Sequence, residues 1–281
     1  MNPRELARHL RAGVGQCATR MAHTGGINLI VLAAGFATRL YPLTLTRPKP
    51  LLPVAHPDRK DGKPMIEHVL DNVACIPGIH RICIVTNGKF IDLFEAWSRE
   101  YGARLSHLEF KLINDGVFDA EKRLGAIGDL DFVLRREGID DDILVVAGDN
   151  LFSEPLHGFG EFCRRKNAPV LGVYDVRDLE EVKKYNTLTL DPEGRLVFFE
   201  EKPQAPTSTL TGIALYFYPR HILPLVRQYM AEGNNPDQPG RFVQWLYPRV
   251  PVFTWRIPGV WYDIGCHETL AEANRIFGSV S

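Results

Sequence analysis

Short runs of aliphatic residues recur along the chain, separated by polar and glycine-containing segments. Residues 29–32 and 143–146 contain no polar position, and residues 82–85 are equally apolar. A half-exposed strand alternates apolar and polar residues, so these unbroken runs predict strands that are buried on both faces of a sheet. Similar runs predict further strands at residues 110–113, 170–174, 187–190, 196–199 and 211–219.

Apolar residues at helical spacing lie between these runs. Met65, Ile66, Val69, Leu70 and Val73 follow the period of an amphipathic helix that covers a sheet. The alternation of strands and helices predicts an α/β fold with a mainly parallel sheet and right-handed crossovers. Further helices are predicted at residues 91–100, 179–185 and 268–277.

The composition is typical of one large domain. The chain has 281 residues, of which 45% are hydrophobic, enough to form a sizeable core. Residues 1–26 hold four arginines against one acid, Glu5, and are predicted to form a basic N-terminal extension that ends in a flexible joint. Residues 27–281 are predicted to form the single domain, and the polar stretch at residues 56–61 is predicted to be a surface loop.

The charge balance and the cysteines limit the partners and the compartment. A net charge of -1 argues against a broad surface for nucleic acid or acidic membranes, so small-molecule partners are expected. The five cysteines are odd in number and lack C-x-x-C pairing, which predicts reduced thiols and a cytoplasmic location. No apolar run approaches the ~18 residues that a membrane span requires.

The segment after the first buried run has the residues of a phosphate-binding loop. Ala33, Ala34 and Gly35 add almost no side-chain bulk, and Gly35 can adopt positive φ, so backbone amides can approach an anion closely. Arg39 adds a planar fork for phosphate oxygens, and Lys49 adds a compact charge. These two cations predict two phosphate positions. The segment matches neither the P-loop motif nor the dinucleotide-binding glycine motif.

Polar residues follow several predicted strands at the edge where parallel sheets bind ligands. Asn114 has a donor and an acceptor for the edge of a base, and Gly125 and Gly128 would let the start of a helix approach a flat ring. Asp149 follows the buried run at residues 143–146. A carboxylate there suits a Mg²⁺ ion that bridges nucleotide phosphates. The sequence thus predicts a base site and a metal ligand at one edge of the sheet.

A longer pattern around the loop is more specific. It consists of Leu32-Ala33-Ala34-Gly35-x-x-Thr38-Arg39-Leu40, continued by Pro42-Leu43-Thr44 and by Pro48-Lys49-Pro50. This pattern resembles the signature of the sugar-1-phosphate nucleotidyltransferases, the group of glucose-1-phosphate thymidylyltransferases and uridylyltransferases. Ala37 stands where most members carry glycine. The resemblance covers about residues 27–277. It implies a Rossmann-like three-layer α/β/α fold with a mainly parallel, mixed central sheet.

The resemblance also implies a role for individual residues. It implies that Asp149 and Asp263 hold Mg²⁺, and that Arg39, Lys49 and Lys202 are the catalytic cations. The implied nucleotide-binding residues are Leu32, Ala33, Ala34, Gly35, Asn114, Gly125 and Gly148. The implied residues for the sugar phosphate are Asn186, Glu201, Lys202 and Gly212.

The implied reaction transfers a nucleotidyl group from an NTP to a sugar-1-phosphate, with dTTP or UTP and glucose-1-phosphate favoured as substrates. Two alternatives stay open. A cytidylyltransferase acting on a phosphorylated alcohol or another sugar phosphate would share the loop and the aspartates, and Asn186 and the segment at Asn114 depart from the family's usual pattern. The alternative from another class is a non-catalytic module that binds nucleotide sugars. No nucleic-acid or membrane partner is expected, and a homo-oligomer is compatible with the sequence.

Overall fold

A seven-stranded sheet forms the centre of the fold. The computed structural model describes residues 26–278, so the predicted N-terminal extension lies outside the described residues except for Gly26. The strands in this part of the chain are β1 (Ile27–Leu32), β2 (Pro53–His56), β3 (Arg59–Pro64), β4 (Ile79–Thr86), β5 (Glu109–Asn114), β6 (Ile143–Ala147), β7 (Asn150–Phe152), β8 (Val170–Asp175), β9 (Asn186–Leu190), β10 (Leu196–Glu201), β11 (Leu210–Tyr218), β12 (Phe253–Arg256) and β13 (Trp261–Asp263). The helices are α1 (Met65–Val73), α2 (Ile91–Tyr101), α3 (Ala126–Arg136), α4 (His157–Lys166), α5 (Leu179–Val182), α6 (Leu223–Ala231), α7 (Pro239–Leu246) and α8 (His267–Phe277).

The main sheet has the strand order β12-β8-β11-β6-β1-β4-β5. β1 pairs in parallel with β4 and β6, and β5 continues the parallel block beyond β4. β11 is antiparallel to both β6 and β8, whereas β12 is parallel to β8. Residues of α1, α2, α4 and α8 pack into the core on one face, and residues of α3, α6 and α7 pack into the core on the other. The predicted α/β fold with a mainly parallel, mixed sheet is confirmed.

The central position of β1 follows from its unbroken apolar run. Leu29, Ile30 and Val31 are each 0% exposed. Leu29 and Val31 belong to the core on one face, and Ile30 belongs to the core on the other. Because successive side chains of a strand point to opposite faces, only an apolar residue at every position can fill both cores. This burial fixes the loop after β1 at the middle of the sheet's carboxyl edge.

The chain turns sharply after β6, and this turn positions Asp149. The Gly148 amide donates a hydrogen bond to the Leu32 carbonyl at 3.0 Å, which holds the turn against the end of β1. β7 then leaves the main sheet and pairs in the antiparallel sense with β13. In this pairing Asn150 lies opposite Asp263. The fold therefore brings the two predicted metal-binding aspartates together from distant parts of the chain.

The prediction of a surface loop at residues 56–61 is wrong. β2 and β3 form an antiparallel hairpin in which Val54 pairs with Lys63 and His56 pairs with Arg59. Most of the tip is exposed to solvent, so polar side chains are compatible with strand pairing there. A two-stranded ribbon takes its stability from backbone pairing and from one packed face, and its open face needs no apolar pattern. The polar composition of residues 56–61 therefore did not predict that their backbone forms paired strands.

The hairpin that follows α5 begins earlier than predicted. The helix predicted at residues 179–185 ends at Val182, because the chain already enters strand β9 at Asn186. β9 and β10 pair from Leu190 opposite Leu196 to Asn186 opposite Glu201. The hairpin therefore carries two of the predicted sugar-phosphate residues at its open end.

The cysteines and the helix lengths complete the description of the fold. The cysteines of this region, Cys75, Cys83, Cys163 and Cys266, are all free thiols. Among residues 26–278, no helix is long and apolar enough to cross a membrane.

Replacing Phe159 with alanine should strongly destabilise the fold. Phe159 is 0% exposed, and its ring packs edge-on against Trp255 at a centroid distance of 5.5 Å. Truncating a buried aromatic side chain costs about 3–5 kcal/mol, because transfer free energy is lost and a cavity remains. Chemical denaturation measures this loss. The matched control is Phe118→Ala, since Phe118 is 70% exposed. Equal losses in the two variants would contradict the assigned core.

Candidate active site

A cavity of about 490 Å³ opens beside the carboxyl ends of β1 and β6. One wall is the loop after β1, and the opposite wall is the start of α3. Ligands of open α/β sheets bind at this edge, so the cavity is the candidate site. The lining residues are Leu32, Ala34, Gly35, Phe36, Ala37, Thr38, Arg39, Ala120, Arg123, Gly125, Ala126, Asp129, Ala147, Asp149, Asp237 and Gln238.

The loop after β1 makes its sharp turn at Ala37 rather than at Gly35. Ala37 has φ 48° and ψ 47°, in the left-handed region, whereas Gly35 does not have a positive φ. The left-handed residue of this loop is therefore Ala37, although glycine at position 35 could also adopt that conformation. The Thr44 hydroxyl donates to the Ala37 carbonyl at 2.8 Å and holds this strained turn in place. A Cβ added to Gly35 would meet no atom within 4 Å, so Gly35 keeps the cleft open at this point.

Asn87 anchors the loop from the neighbouring strand. Its side-chain amide is 0% exposed and donates to the Ala34 carbonyl at 2.9 Å. Its carbonyl oxygen accepts from the Phe90 amide at 3.2 Å. Both ends of the amide are thus used within the protein. No sequence motif indicates this positioning role, because the partner of Asn87 is a backbone atom of a distant loop.

The carboxylates of Asp149 and Asp263 are held together by one amide. The Asn150 side-chain nitrogen donates to Asp149 Oδ1 at 3.0 Å and to Asp263 Oδ1 at 3.1 Å. The Trp261 indole donates to the Asn150 side-chain oxygen at 2.9 Å, which fixes the orientation of the amide. The structure therefore brings the two predicted metal ligands into one centre. Asn150 and Trp261 thus position the two carboxylates through contacts that the sequence motifs did not predict.

Lys49 provides the positive charge of this centre. Its ammonium group forms an ion pair with Asp149 and donates to the Ile264 carbonyl at 2.7 Å. Burial lowers the pKa of Lys49, but Asp149 and Asp263 raise it by more, so the net pKa is raised and the group is charged. Burial and the charge of Asp149 raise the pKa of Asp263 to about 6, against the opposing effects of Lys49 and Arg39.

Arg39 faces the cleft from the other side of the same centre. It lies in the single 3-10 turn Thr38–Leu40 and is exposed. A Cβ added to Gly265 would lie 3.6 Å from Arg39 Nη1, so the guanidinium lies over the backbone just after Asp263. Arg39 also lines the cavity with Asp149. The cleft thus has one buried cation and one exposed cation at its carboxylate end.

The predicted nucleotide-binding residues fall into two groups. Leu32, Ala34, Gly35 and Gly125 line the cavity. Of the described residues, Ala33, Asn114 and Gly148 belong to the same predicted set but are not part of the lining. The Asn114 side-chain oxygen accepts from the Gly116 amide at 2.8 Å and forms a local turn. Recognition of a base by Asn114 stays a prediction. The Asn114 side-chain oxygen already accepts a hydrogen bond within the protein.

The segment at residues 234–240 docks against the start of α3. The Ile127 amide donates to the Pro236 carbonyl at 2.9 Å. Arg123 makes two hydrogen bonds to the Asp237 carboxylate, at 2.8 and 3.2 Å. Gly125 has φ 81°, and a Cβ added there would lie 2.7 Å from the Pro236 carbonyl oxygen. The absence of a side chain at Gly125 therefore allows this segment to form one side of the cavity.

Asn186 and Gly212 join the sugar-side hairpin to the main sheet. The Asn186 side chain accepts from the Gly212 amide at 2.6 Å and donates to the Gly212 carbonyl at 2.9 Å. Asn186 is 6% exposed. The Asn186 side chain therefore bonds both backbone groups of Gly212, as a neighbouring strand would. Sugar binding by Asn186 and Gly212 stays a prediction.

Glu201 and Lys202 differ in their surroundings. Glu201 Oε2 is buried and has no hydrogen-bond partner in the described part of the chain. Burial raises the pKa of Glu201 to about 7, against the opposing charges of Lys202 and Arg241. Lys202 is exposed and has φ 52°. An unpartnered acceptor beside an exposed cation is an arrangement that can bind a hydroxyl and a phosphate.

The hairpin lies close to the carboxylate centre. The Lys202 amide donates to the Tyr185 carbonyl at 2.8 Å. The Tyr185 ring packs edge-on against Trp261 at a centroid distance of 5.3 Å. Trp261 in turn holds Asn150. One series of contacts therefore connects the predicted sugar-phosphate residues to the predicted metal ligands.

Replacing Glu201 with glutamine should stabilise the protein at alkaline pH. The folded-state pKa of about 7 lies above the ordinary value of 4.5, so the folded state binds a proton more tightly and stability falls as pH rises between these values. Glutamine removes this penalty. We expect a melting temperature at pH 8 that is at least about 2 °C above that of the parent chain, and no gain near pH 4.5. Glu193→Gln, at an exposed turn, is the control. A gain that does not depend on pH would contradict the assignment.

Comparisons with known proteins identify the family of this chain. The model of the nucleotidyl transferase family matches residues 28–279. The bifunctional protein GlmU of Methanocaldococcus jannaschii is 25% identical over 250 residues, which are 89% of this chain and 54% of that protein. A glucose-1-phosphate thymidylyltransferase of Neisseria meningitidis is 29% identical over 256 residues, which are 87% of this chain and 80% of that protein.

A solved structure shares the fold. The UDP-glucose pyrophosphorylase complexed with UDP-glucose superimposes with a TM-score of 0.72 at 22% identity, over 89% of this chain and 98% of that one. The chain spans 54% to 60% of the length of the first curated relatives it matches. The family model covers nearly all described residues, including the loop after β1 and both aspartates. The chain belongs to the nucleotidyl transferase family.

Proposed function

We propose that this chain transfers a nucleotidyl group from an NTP to a sugar-1-phosphate, releasing pyrophosphate. The observation that carries the proposal is the centre of Asp149, Asp263 and Lys49, which faces a cavity bounded by a small-residue loop and Arg39. Paired carboxylates and paired cations at the end of a phosphate-binding loop suit chemistry at a polyphosphate. A module that bound nucleotide sugars without catalysis would have no need of this charged centre.

The proposed mechanism needs no covalent intermediate on the protein. An oxygen of the sugar-1-phosphate attacks the α-phosphorus of the NTP in line, and pyrophosphate leaves. Arg39 stabilises the β- and γ-phosphates as they depart, and Lys49 and Lys202 orient the attacking phosphate. Catalysis of such transfers comes from positioning and from charge stabilisation. The residues of the cleft supply both.

The carboxylate centre fits Mg²⁺. Asp149 and Asp263 offer two hard oxygen ligands. Residues 26–278 contain no larger cluster, of three or more His, Cys, Asp or Glu side chains, that could hold a metal by itself. Mg²⁺ commonly uses one or two carboxylates and completes its shell with water and substrate phosphates. The charge of Asp149 contributes to the raised pKa of Asp263, and a bound cation would offset this repulsion. When bound, Mg²⁺ would supply positive charge against the α-phosphate.

Glucose-1-phosphate is the first candidate acceptor. The Neisseria meningitidis relative is named a glucose-1-phosphate thymidylyltransferase, and the structural neighbour a UDP-glucose pyrophosphorylase. The buried, unpartnered oxygen of Glu201 would accept a sugar hydroxyl, and Lys202 would hold the sugar phosphate. These relatives and the sequence pattern favour dTTP or UTP as the nucleotide donor.

The Asp149→Asn variant should lose activity while keeping its fold. We expect kcat to fall about 10²- to 10³-fold, because one of the two carboxylates that hold the cation is neutralised. Pyrophosphate release is measured with each NTP and a panel of sugar-1-phosphates in the presence of Mg²⁺, and circular dichroism checks the fold. Asp140→Asn is the control, since Asp140 is a surface partner of Arg220. Unchanged kcat in Asp149→Asn would refute its role, and no turnover by the parent chain with any pair would refute the proposed function.

The Lys202→Ala variant should weaken binding of the sugar phosphate specifically. We expect the KM for the sugar-1-phosphate to rise about 10-fold or more, because a charge-assisted contact with phosphate is lost. The KM for the NTP should stay within about 2-fold, since Lys202 is assigned to the other substrate. The control is Lys184→Ala, because Lys184 is exposed and paired with Glu181. An equal rise of both KM values in Lys202→Ala would contradict the assignment.

A further inference from the structure

Asp129 is a buried carboxylate that faces the nucleotide cleft without a partner. It lies in the first turn of α3, is 7% exposed and lines the cavity with Ala34 and Gly125. Its Oδ1 atom is buried and has no hydrogen-bond partner among residues 26–278. A buried polar atom without a partner is costly, and such atoms are uncommon in folded proteins. The position of Asp129 in the cleft suggests that a ligand supplies the missing donor.

The surroundings of Asp129 provide no compensating charge. Asp131, on the same helix and equally buried, also has a buried Oδ1 without a partner, but its Oδ2 pairs with Arg135 at 2.9 Å. The charge that acts on the pKa of Asp129 comes from another acid, Asp115. Burial and then Asp115 raise the pKa of Asp129 to about 7. Two hydrogen-bond donors from a ligand would favour the ionised form and reverse this effect. The carboxylate is therefore poised for a ligand that donates hydrogen bonds.

The sheet order places Asp129 at the end of the cleft that is remote from the phosphate chemistry. Asp149 follows β6, and the phosphate-binding loop follows β1. Asp115, whose charge acts on Asp129, follows β5. Helix α3 packs against β1 and β4, and the strands run in the order β6-β1-β4-β5. Asp149 and Asp129 thus lie on opposite sides of the loop. With the phosphates at the β6 side, the base of a bound NTP lies at the β4–β5 side.

The hydrogen-bonding pattern of the bases distinguishes among the NTPs. An ionised carboxylate only accepts hydrogen bonds, and its two oxygens can accept from two adjacent donors. Guanine presents adjacent N1–H and N2–H donors. Uracil and thymine present one N–H between two carbonyl oxygens, which would repel a carboxylate. Adenine and cytosine present one amino group beside a ring nitrogen that is itself an acceptor. Guanine is the base that matches an acceptor-only group on this edge.

We propose that Asp129 is a specificity-determining residue that accepts hydrogen bonds from guanine, so that GTP is the preferred nucleotide donor. This inference rests on the proposed function, and it replaces the preference for thymine or uracil that the sequence resemblance favours. The small residues Ala34 and Gly125 leave room for the base beside the carboxylate. Asp129 acts in recognition of the nucleotide and takes no part in the transfer step.

The first test compares kcat/KM for GTP, ATP, CTP, UTP and dTTP in the parent chain and in Asp129→Asn. We expect the parent to prefer GTP, and the variant to lose about 10- to 100-fold in kcat/KM for GTP relative to UTP, as expected when a two-bond base contact is removed. The control Asp131→Asn removes an equally buried carboxylate from the same helix outside the cavity lining and should keep the preference. A parent preference for UTP or dTTP, or an unchanged ratio in Asp129→Asn, would overturn the inference.

Binding of GDP and UDP, measured by isothermal titration calorimetry, separates this inference from the proposed function. If no sugar-1-phosphate is turned over, but GDP binds more tightly than UDP and Asp129→Asn abolishes the difference, the base assignment holds and the transfer reaction fails. If transfer occurs and GDP and UDP bind equally, the base assignment fails alone. Asp129→Ser serves as a second variant, and thermal unfolding of both variants shows that they are folded. Failure of both nucleotides to bind the parent chain would overturn the inference.

Discussion

The site depends on holding two like charges side by side at the end of a buried sheet. Asp149 and Asp263 repel one another, and partial burial strengthens the repulsion because water screens it less. Asn150 donates to both carboxylates, and Lys49 offsets part of their charge. This arrangement exists because β7 leaves the main sheet after Gly148 and pairs with β13. A polyphosphate with its cation is the kind of ligand that such a centre would stabilise.

The remaining parts of the site are positioned by the same sheet. The loop after β1 is central because that strand fills both cores, and Asn87 on the adjacent strand holds its Ala34 carbonyl. The hairpin of β9 and β10 is tied to β11 through Asn186. The same end of the hairpin reaches the carboxylate centre through Tyr185 and Trp261. Three sequence-distant segments therefore meet at one edge, in agreement with a site that must orient two substrates against each other.

Much of this was predictable from the sequence, and the exceptions have physical causes. Unbroken apolar runs predicted the buried strands, and the turn after such a strand predicted the positions of the loop and of Asp149. The bridge that Asn150 forms between the aspartates was not predictable, because an amide between two carboxylates follows no periodic pattern. The strained turn fell at Ala37 rather than Gly35, since the Thr44 hydroxyl stabilises the left-handed conformation there. Asp129 became a candidate for base recognition only because its buried Oδ1 has no hydrogen-bond partner among the described residues. A sequence does not show this.

Isotope exchange tests direct transfer between two bound substrates most directly. The chain is incubated with Mg²⁺, its preferred NTP and labelled pyrophosphate, with and without the sugar-1-phosphate. Because no covalent intermediate is required, we predict that label enters the NTP only when the sugar-1-phosphate is present, through formation and pyrophosphorolysis of the NDP-sugar. Label that enters the NTP without any sugar-1-phosphate would reveal a nucleotidyl-enzyme intermediate and would contradict the account, as would the absence of exchange under both conditions.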